Sequence, residues 1–331
     1  MNRPHQLALL GAFAAIYLFW GGTFLAIRYA VADLPPLLTI GLRCAGGAVL
    51  LFGWLGLRGR LERVSAATWA TAAVAGALLF LGCHAVMASV EQRVSSGETA
   101  LWMTAIPLWL VILDALRARR RPALSVLIGL GLGAAGVAVL SAGDGLVPEA
   151  ARDHAALLAC AFAWALGSLV ARHGPRPASA TQSTAMQLAT GAVFVLAASA
   201  ASESWSGIRP TARGTASLGF LIVCGTALGL ASYTWLLRVT SPAAVGTYAF
   251  VNPVIALLLG WGVGDDQLGW RTALATALVV SAVLVTQWRG LVGPKRFEAP
   301  ACRGLAAERA VAAGALARAS PGMSEGCARA W

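Results

Sequence analysis

The sequence predicts an all-α integral membrane protein, with ten transmembrane helices arranged as two inverted five-helix repeats around a central cavity. Hydrophobic residues make up 58% of the 331 residues and charged residues only 12%, about half the usual charged fraction. The apolar residues come in blocks of roughly 20, the length of a helix that crosses a hydrocarbon core. The two halves of the chain also match each other weakly at a constant offset.

The apolar blocks predict where the ten helices lie. They fall at residues 7–31, 36–57, 67–89, 97–116, 123–142, 154–172, 180–201, 214–236, 242–264 and 269–289. Short joins that contain proline or glycine, such as Pro35–Pro36 and Gly174–Pro175, separate them. The first block is too long for the apolar core of a signal peptide, so we expect an uncleaved first helix.

The basic residues predict the orientation of the chain in the membrane. If the N-terminus is cytoplasmic, 18 Lys and Arg residues lie on the cytoplasmic side and six on the other. Positive residues favour the cytoplasmic side of a membrane protein. We therefore expect a multi-pass protein of a bacterial inner membrane, with both termini in the cytoplasm. The net charge of +11 thus reflects topology rather than nucleic-acid binding.

Neither a cofactor nor a metal ion is expected. The six cysteines show no metal-ligand spacing and no disulfide framework. Residues Gly131 to Gly136 spell GxGxxG, but no strand precedes them, as a nucleotide-binding unit would require. The four histidines are scattered, which disfavours a membrane enzyme and leaves no candidate catalytic residues.

The internal match suggests a duplicated unit. Its anchors, at an offset of about 144–146 residues, pair Trp20 with Trp164, Arg28 with Arg172, Gly47–Val49 with Gly191–Val193, and Ser95, Trp102 and Pro107 with Ser241, Tyr248 and Pro253. Because each half holds an odd number of helices, the second half must be inverted relative to the first. Inverted repeats are typical of secondary transporters, which hold substrate near the midplane between the repeats.

At these residues the chain resembles the EamA-type family of the drug/metabolite transporter (DMT) superfamily. Trp20–Gly21–Gly22–Thr23, Arg43 early in the second block and the mid-block prolines carry the resemblance. It implies five-helix EamA-like repeats over residues 1–145 and 146–293, and export of amino acids, other small metabolites or drugs. It gives no place to residues 294–331, for which we expect a cytoplasmic, disordered basic tail.

Polar and ionisable residues inside a membrane are costly, so each is a candidate for function. Arg43 is a candidate for binding a substrate carboxylate or, alternatively, a structural anchor. His84 is either a substrate ligand or a packing histidine. Asn252, Thr23 and Ser168 are further candidates. Gln187 is another, because the repeat offset matches it to Arg43. With no carboxylate expected at the midplane, proton coupling would use His84 or Glu98, or be absent.

Aromatic and proline residues complete the predicted site. Mid-membrane tryptophans need a partner for the indole N–H, which a cavity wall supplies; packing against lipid is the alternative. The aromatic candidates for the cavity are Trp20, Trp102, Trp164, Tyr233 and Tyr248. Pro107 and Pro253 each remove a helical hydrogen bond and are candidate hinges.

The sequence therefore favours a secondary transporter that exports small metabolites, amino acids or other amphiphilic compounds, by alternating access. Its predicted partners are a small-molecule substrate, the lipid bilayer and, as coupling ion, protons. A multidrug carrier or a carrier of sugars or nucleotides remains an alternative. A membrane enzyme such as an acyltransferase is a more remote one.

Overall fold

The computed structural model describes residues 3–117, 124–141, 148–240, 247–264 and 269–292, together with residues 119 and 245. Across these residues the regular structure is helical, without strands. Seven helices are long and apolar enough to cross a membrane, and the apolar helices Val251–Val263 and Trp270–Ala282 are shorter. The predicted all-helical membrane class is confirmed. The predicted tail from residue 294 lies outside the described residues.

Helix is present in each of the ten predicted apolar blocks. In chain order the helices are α1 (Arg3–Asp33), α2 (Pro36–Leu57), α3 (Ala66–Gly76), α4 (Val86–Val90), α5 (Ser96–Met103), α6 (Ala105–Arg117), α7 (Leu124–Ser141), α8 (Pro148–His173), α9 (Ala180–Ser202), α10 (Ala212–Phe220), α11 (Gly229–Val239), α12 (Tyr248–Val263) and α13 (Trp270–Val292). A π-helical segment, Ala77–Ala85, joins α3 to α4, and a second, Leu221–Leu228, joins α10 to α11.

The two candidate hinge prolines behave differently. The helix of block 97–116 is interrupted at Thr104, three residues before Pro107, and the Thr104 hydroxyl donates to the Leu101 carbonyl over 2.5 Å. Proline lacks an N–H and its ring crowds the carbonyl four residues earlier, which accounts for the break. Pro253 lies inside the continuous helix α12.

Close helix contacts fix the relative directions of the chain. Glycines at these crossings let the helices approach closely, as small residues do in membrane bundles. Three pairs are antiparallel: α2 with α9, the α3–α4 stretch with α8, and α7 with α13. In each pair, the contacts have rising residue numbers in one helix and falling numbers in the other. The contacts are Gly41–Leu196 and Gly47–Leu188, Gly174–Thr71 and Gly167–Leu79, and Gly133–Ala282 and Gly136–Val279.

Helices α1 and α12 run in the same direction. Gly21 packs against Ile255, and further along both helices the Tyr29 hydroxyl donates to the Val263 carbonyl over 2.6 Å. Before α12 begins, the Tyr17 and Thr247 hydroxyls are 2.5 Å apart. These contacts place the start of α12 beside the middle of α1.

Two glutamates cap α2 and α9 reciprocally. Glu203, which follows α9, accepts hydrogen bonds from the N–H groups of Leu37 and Leu38 in the first turn of α2, at 2.8 and 3.0 Å. Glu62, which follows α2, accepts from the N–H groups of Ala178 and Ser179 ahead of α9, at 2.9 and 2.8 Å. The first N–H groups of a helix have no partner within it, and the helix dipole favours a negative charge there. Each helix thus ends in a loop that stabilises the start of its partner.

We predict that Glu203→Ala lowers the stability of the folded protein by about 1 kcal/mol, because two N–H groups of α2 lose a charged acceptor. Thermal unfolding in detergent should show a lower midpoint for Glu203→Ala and for Glu62→Ala. Glu149→Ala is the matched control, since Glu149 is an exposed residue in the first turn of α8. Equal midpoints for Glu203→Ala and Glu149→Ala would contradict the capping role.

Candidate substrate-binding site

Two predicted site residues, Trp20 and Arg43, meet at the π-helical segment between α10 and α11. The Trp20 indole N–H donates to the Gly225 carbonyl over 3.0 Å, and Arg43 Nε donates to the Thr226 hydroxyl over 2.8 Å. A π-helical stretch disturbs the regular bonding of a helix and is frequent at functional sites. The segment therefore offers polar groups in the middle of an otherwise apolar bundle.

The Arg43 guanidinium is buried but incompletely bonded. Arg43 is 5% exposed, and its Nη1 has no hydrogen-bond partner among the described residues. A buried charge with an unused donor carries a substantial desolvation cost. Arg43 therefore retains the capacity to bind an anionic group.

Trp20 also belongs to an aromatic cluster that joins α1, α11 and α12. Its ring centroid lies 5.1 Å from that of Tyr233 and 5.1 Å from that of Tyr248, and the two tyrosine rings are 6.0 Å apart. Thr23 donates its hydroxyl to the Trp20 carbonyl over 2.6 Å. Nearby, Asn252 is buried and its Oδ1 accepts no hydrogen bond from the described residues. Five predicted residues from the two halves of the chain thus lie in one region.

A second group of predicted residues surrounds the other π-helical segment, Ala77–Ala85. His84 Nδ1 lies 2.9 Å from the Leu79 carbonyl oxygen. The His84 ring stacks on Phe80 at 5.5 Å between centroids and meets the edge of Trp164 at 5.1 Å. The Ser168 hydroxyl donates to the Trp164 carbonyl over 2.8 Å. Trp164, like Trp20, therefore lies against a π-helical segment.

The two π-helical segments begin 144 residues apart, at Ala77 and Leu221. Gly47 packs against Thr226 in the second segment, and Gly191 packs against Phe80 in the first. In both places a Cβ atom would lie 2.4 Å from its neighbour, so the contact requires glycine. The sequence match paired Gly47 with Gly191 but gave no sign of the π-helical segments that they contact.

Trp102 lies in a third group, with His154 and Glu98. Its ring stacks on His154 at 4.9 Å between centroids, and its indole N–H has no hydrogen-bond partner in the described structure. His154 Nε2 lies 2.8 Å from Glu98 Oε1. The sequence paired Trp102 with Tyr248, but the two rings lie in different clusters.

An ion pair adjoins this third group. Arg93 binds both carboxylate oxygens of Asp153, at 2.8 and 2.5 Å, and this hydrogen bonding raises the pKa of Arg93. Since Arg93 follows α4 and Asp153 lies in the first turns of α8, the pair joins these two elements.

Gln187 lies apart from Arg43, to which the repeat matches it. Its side-chain amide donates to the Ser183 hydroxyl over 3.1 Å. It lines a small cleft together with residues of α3 and of the join between α8 and α9, among them Thr68 and Arg176. The structure therefore gives Gln187 surroundings different from those of the Trp20–Arg43 group.

Sequence reasoning missed Glu91, a buried acidic residue between two predicted blocks. It directly follows α4 and is 1% exposed, and neither carboxylate oxygen has a hydrogen-bond partner in the described residues. Without a donor the buried Glu91 carboxylate is costly as an anion, although Arg43 and Arg28 attract it. Its position two residues past the end of block 67–89, in the join to the next block, gave no signal of burial.

Relatives of this chain are named as transporters. It is 31% identical over 311 residues to the uncharacterized inner membrane transporter YedA of Escherichia coli, covering 93% of this chain and 100% of YedA. The uncharacterized transporter YoaV of Bacillus subtilis is 22% identical and covers 82% of this chain and 94% of its own length. The protein PecM of Dickeya dadantii is 24% identical, over 81% of this chain and 88% of PecM.

A solved crystal structure of another protein has the same fold. It superposes with a TM-score of 0.62 at 23% sequence identity, over 84% of this chain and 96% of the other. The model of the EamA-like transporter family matches residues 6–142 and again residues 154–288. The chain therefore belongs to the EamA-like transporter family.

Proposed function

We propose that this protein is a secondary transporter of a bacterial inner membrane that exports small metabolites, amino acids first, by alternating access. The observation that carries the proposal is an exchange of contacts between the halves. Trp20 and Gly47 of the first half contact the π-helical segment of the second half. Trp164 contacts His84, and Gly191 contacts Phe80, in the π-helical segment of the first half.

Further contacts support two inverted five-helix repeats, residues 1–145 and 146–293. If the halves are exchanged, the antiparallel pairs α2–α9 and α7–α13 each map onto themselves, and the reciprocal caps Glu62 and Glu203 exchange roles. The contact of α1 with α12 corresponds to that of α8 with α5 and α6. Two similar halves facing opposite ways can exchange conformations and so open the site to each side in turn.

The orientation of the site in the membrane rests on the distribution of basic residues. With the N- and C-termini in the cytoplasm, α1 and α12 run outwards and α2 runs inwards. Arg43, Glu91 and the Trp102–His154 pair then lie in the outer half of the membrane. The Trp20–Tyr233–Tyr248 cluster extends from the midplane towards the cytoplasm.

Two contacts support the assignment of gates. On the proposed cytoplasmic side, Tyr17 of α1 bonds Thr247 ahead of α12. On the proposed outer side, Glu98 of α5 binds His154 of α8. These helix pairs correspond under exchange of the halves, and both are closed in this structure. We propose that transport opens one while the other stays closed.

The chemistry of the site supports a substrate with an anionic group and an apolar body. Arg43 Nη1 is an unused buried donor, suited to a carboxylate. The Trp20 ring, which bonds Gly225 next to Thr226, and the two tyrosine rings against it provide apolar surface and can also contact cations. The proposed substrate-binding residues are Trp20, Thr23, Arg43, His84, Trp102, Trp164, Ser168, Gln187, Tyr233, Tyr248 and Asn252.

Counterflow in proteoliposomes tests the proposed function. Vesicles containing the purified protein are loaded with one unlabelled amino acid and offered the same compound with a label, for a panel of aromatic and aliphatic amino acids. We expect transient accumulation of at least one labelled member. No accumulation across the panel, with protein that is monodisperse in detergent, would contradict amino-acid transport.

We predict that Trp20→Ala and Trp164→Ala lower the counterflow rate at least several-fold, because each removes an aromatic surface and a contact with a π-helical segment. The amount of protein in the membrane should stay close to that of the wild type. Trp54→Ala is the matched control, since Trp54 is 52% exposed at the end of α2. Normal transport by both variants would show that the tryptophans do not form the site.

We predict that Thr226→Val lowers counterflow, because Arg43 Nε loses its acceptor and the guanidinium is no longer held in place. The loss of a hydrogen bond to a charged group corresponds to about a tenfold effect. Thr226→Ser keeps the hydroxyl and should retain most of the activity. Equal activity of the valine and serine variants would exclude a positioning role for Thr226.

A further inference from the structure

Glu91 is a buried carboxylate that the proposed site has not yet used. It is 1% exposed, and both carboxylate oxygens lack hydrogen-bond partners among the described residues. The backbone around it is ordinary, since its N–H donates to the Met87 carbonyl over 2.9 Å. A buried carboxylate without a donor is costly as an anion. It must therefore be neutralised by a proton or by a cationic group.

The charges around Glu91 come from several elements. Arg28 of α1 and Arg43 of α2 attract it. On the other elements that pack against α4, the ionisable groups at this end are engaged: His84 with Leu79, and on α8, Asp153 with Arg93 and His154 with Glu98. Cys83 and Cys160 are buried thiols. Of the two arginines that attract Glu91, Arg43 is the buried one.

Arg43 and Glu91 influence each other without being in contact. Among the described residues, Arg43 Nη1 and both Glu91 oxygens are without hydrogen-bond partners. A direct ion pair would satisfy all of these atoms at once. Because Arg43 and Glu91 do not bond each other, both can bind a ligand. A ligand with one negative and one positive group would be complementary to the two residues.

We propose that Glu91 binds the ammonium group of a zwitterionic substrate whose carboxylate is bound by Arg43, and that a proton takes the place of the ammonium group when the substrate leaves. This inference rests on the proposed transport function and specifies its substrate class. An α-amino acid has both groups on one carbon, and its side chain would face the aromatic rings.

The exchange conserves protons and charge. On the cytoplasmic side, the Glu91 carboxylic acid releases its proton to water and the carboxylate binds the substrate ammonium. On the outer side, the substrate leaves with its ammonium protons intact and the carboxylate takes up one proton from water. One zwitterion therefore moves out for each proton that moves in, and the proton gradient drives export.

The substrate class is tested by competition. Counterflow of labelled L-phenylalanine is inhibited with unlabelled L-phenylalanine, 3-phenylpropionate, which lacks the ammonium group, or phenethylamine, which lacks the carboxylate. We expect the wild type to prefer phenylalanine over each analogue by about tenfold or more, as a charge-assisted hydrogen bond provides. Glu91→Gln should lose the preference over 3-phenylpropionate, and Arg43→Gln the preference over phenethylamine.

Glu149→Gln is the matched control, because Glu149 is an exposed residue in the first turn of α8; it should keep both preferences. An unchanged preference over 3-phenylpropionate in Glu91→Gln would overturn the proposal. A wild type that shows counterflow but no preference among the three compounds would overturn it as well, while leaving transport itself established.

Proton exchange is tested with an imposed pH gradient. Glu91→Gln should still catalyse counterflow, which needs no net proton movement, but it should not accumulate phenylalanine in response to the gradient. Accumulation by Glu91→Gln equal to that of the wild type would assign the proton to another group.

A measurement without substrate separates this proposal from the transport assignment. The infrared spectrum of the wild type at neutral pH should contain the carbonyl band of a protonated carboxylic acid. The band should be absent in Glu91→Gln and present in Glu98→Gln. If Glu91→Gln does not fold, Glu91→Asp serves instead and should shift the band. A spectrum without such a band, or one that Glu91 substitutions leave unchanged, would overturn the proposal whatever the outcome of counterflow.

Discussion

The antiparallel pairing of α2 with α9 is the interaction on which the rest of the structure depends. Glycines at the crossing bring the two helices close together, and Glu62 and Glu203 each cap the partner of the helix they follow. Inside a membrane, such packing and hydrogen bonding must stabilise helix pairs, because lipid is as apolar as the helix surface. The pair fixes Arg43 and Gly47 of α2 against the π-helical segment that contains Thr226.

The π-helical segments explain how polar groups come to lie in an apolar bundle. A regular helix uses its own N–H and carbonyl groups, whereas here Gly225 and Leu79 accept hydrogen bonds from Trp20 and His84. Because the described residues bond Arg43 through Nε and leave Nη1 without a partner, the site keeps bonding capacity for a ligand. The same arrangement is costly for stability, and inside a membrane such costly polar groups are typical of functional positions.

Much of the helix arrangement follows from the sequence, because block length and charge depend on the chain alone. Every predicted block contains helix, and Trp20, Tyr233, Tyr248 and Arg43 do lie near the same π-helical segment. The sequence did not predict three features: the interruption at Thr104, the separation of Gln187 from Arg43 and the burial of Glu91. They depend on which faces of distant helices meet, and for Glu91 on α1, α2 and α8, which pack against α4.

The central claim is that the two halves exchange conformations, so that the two proposed gates open alternately. Distance measurements by double electron–electron resonance on protein in lipid test this most directly. One pair of spin labels spans α1 and α12 beside Tyr17 and Thr247, and the other spans α5 and α8 beside Glu98 and His154. Substrate and pH should change the two distances in opposite directions. Distances that lengthen together, or stay constant during counterflow, would contradict alternating access.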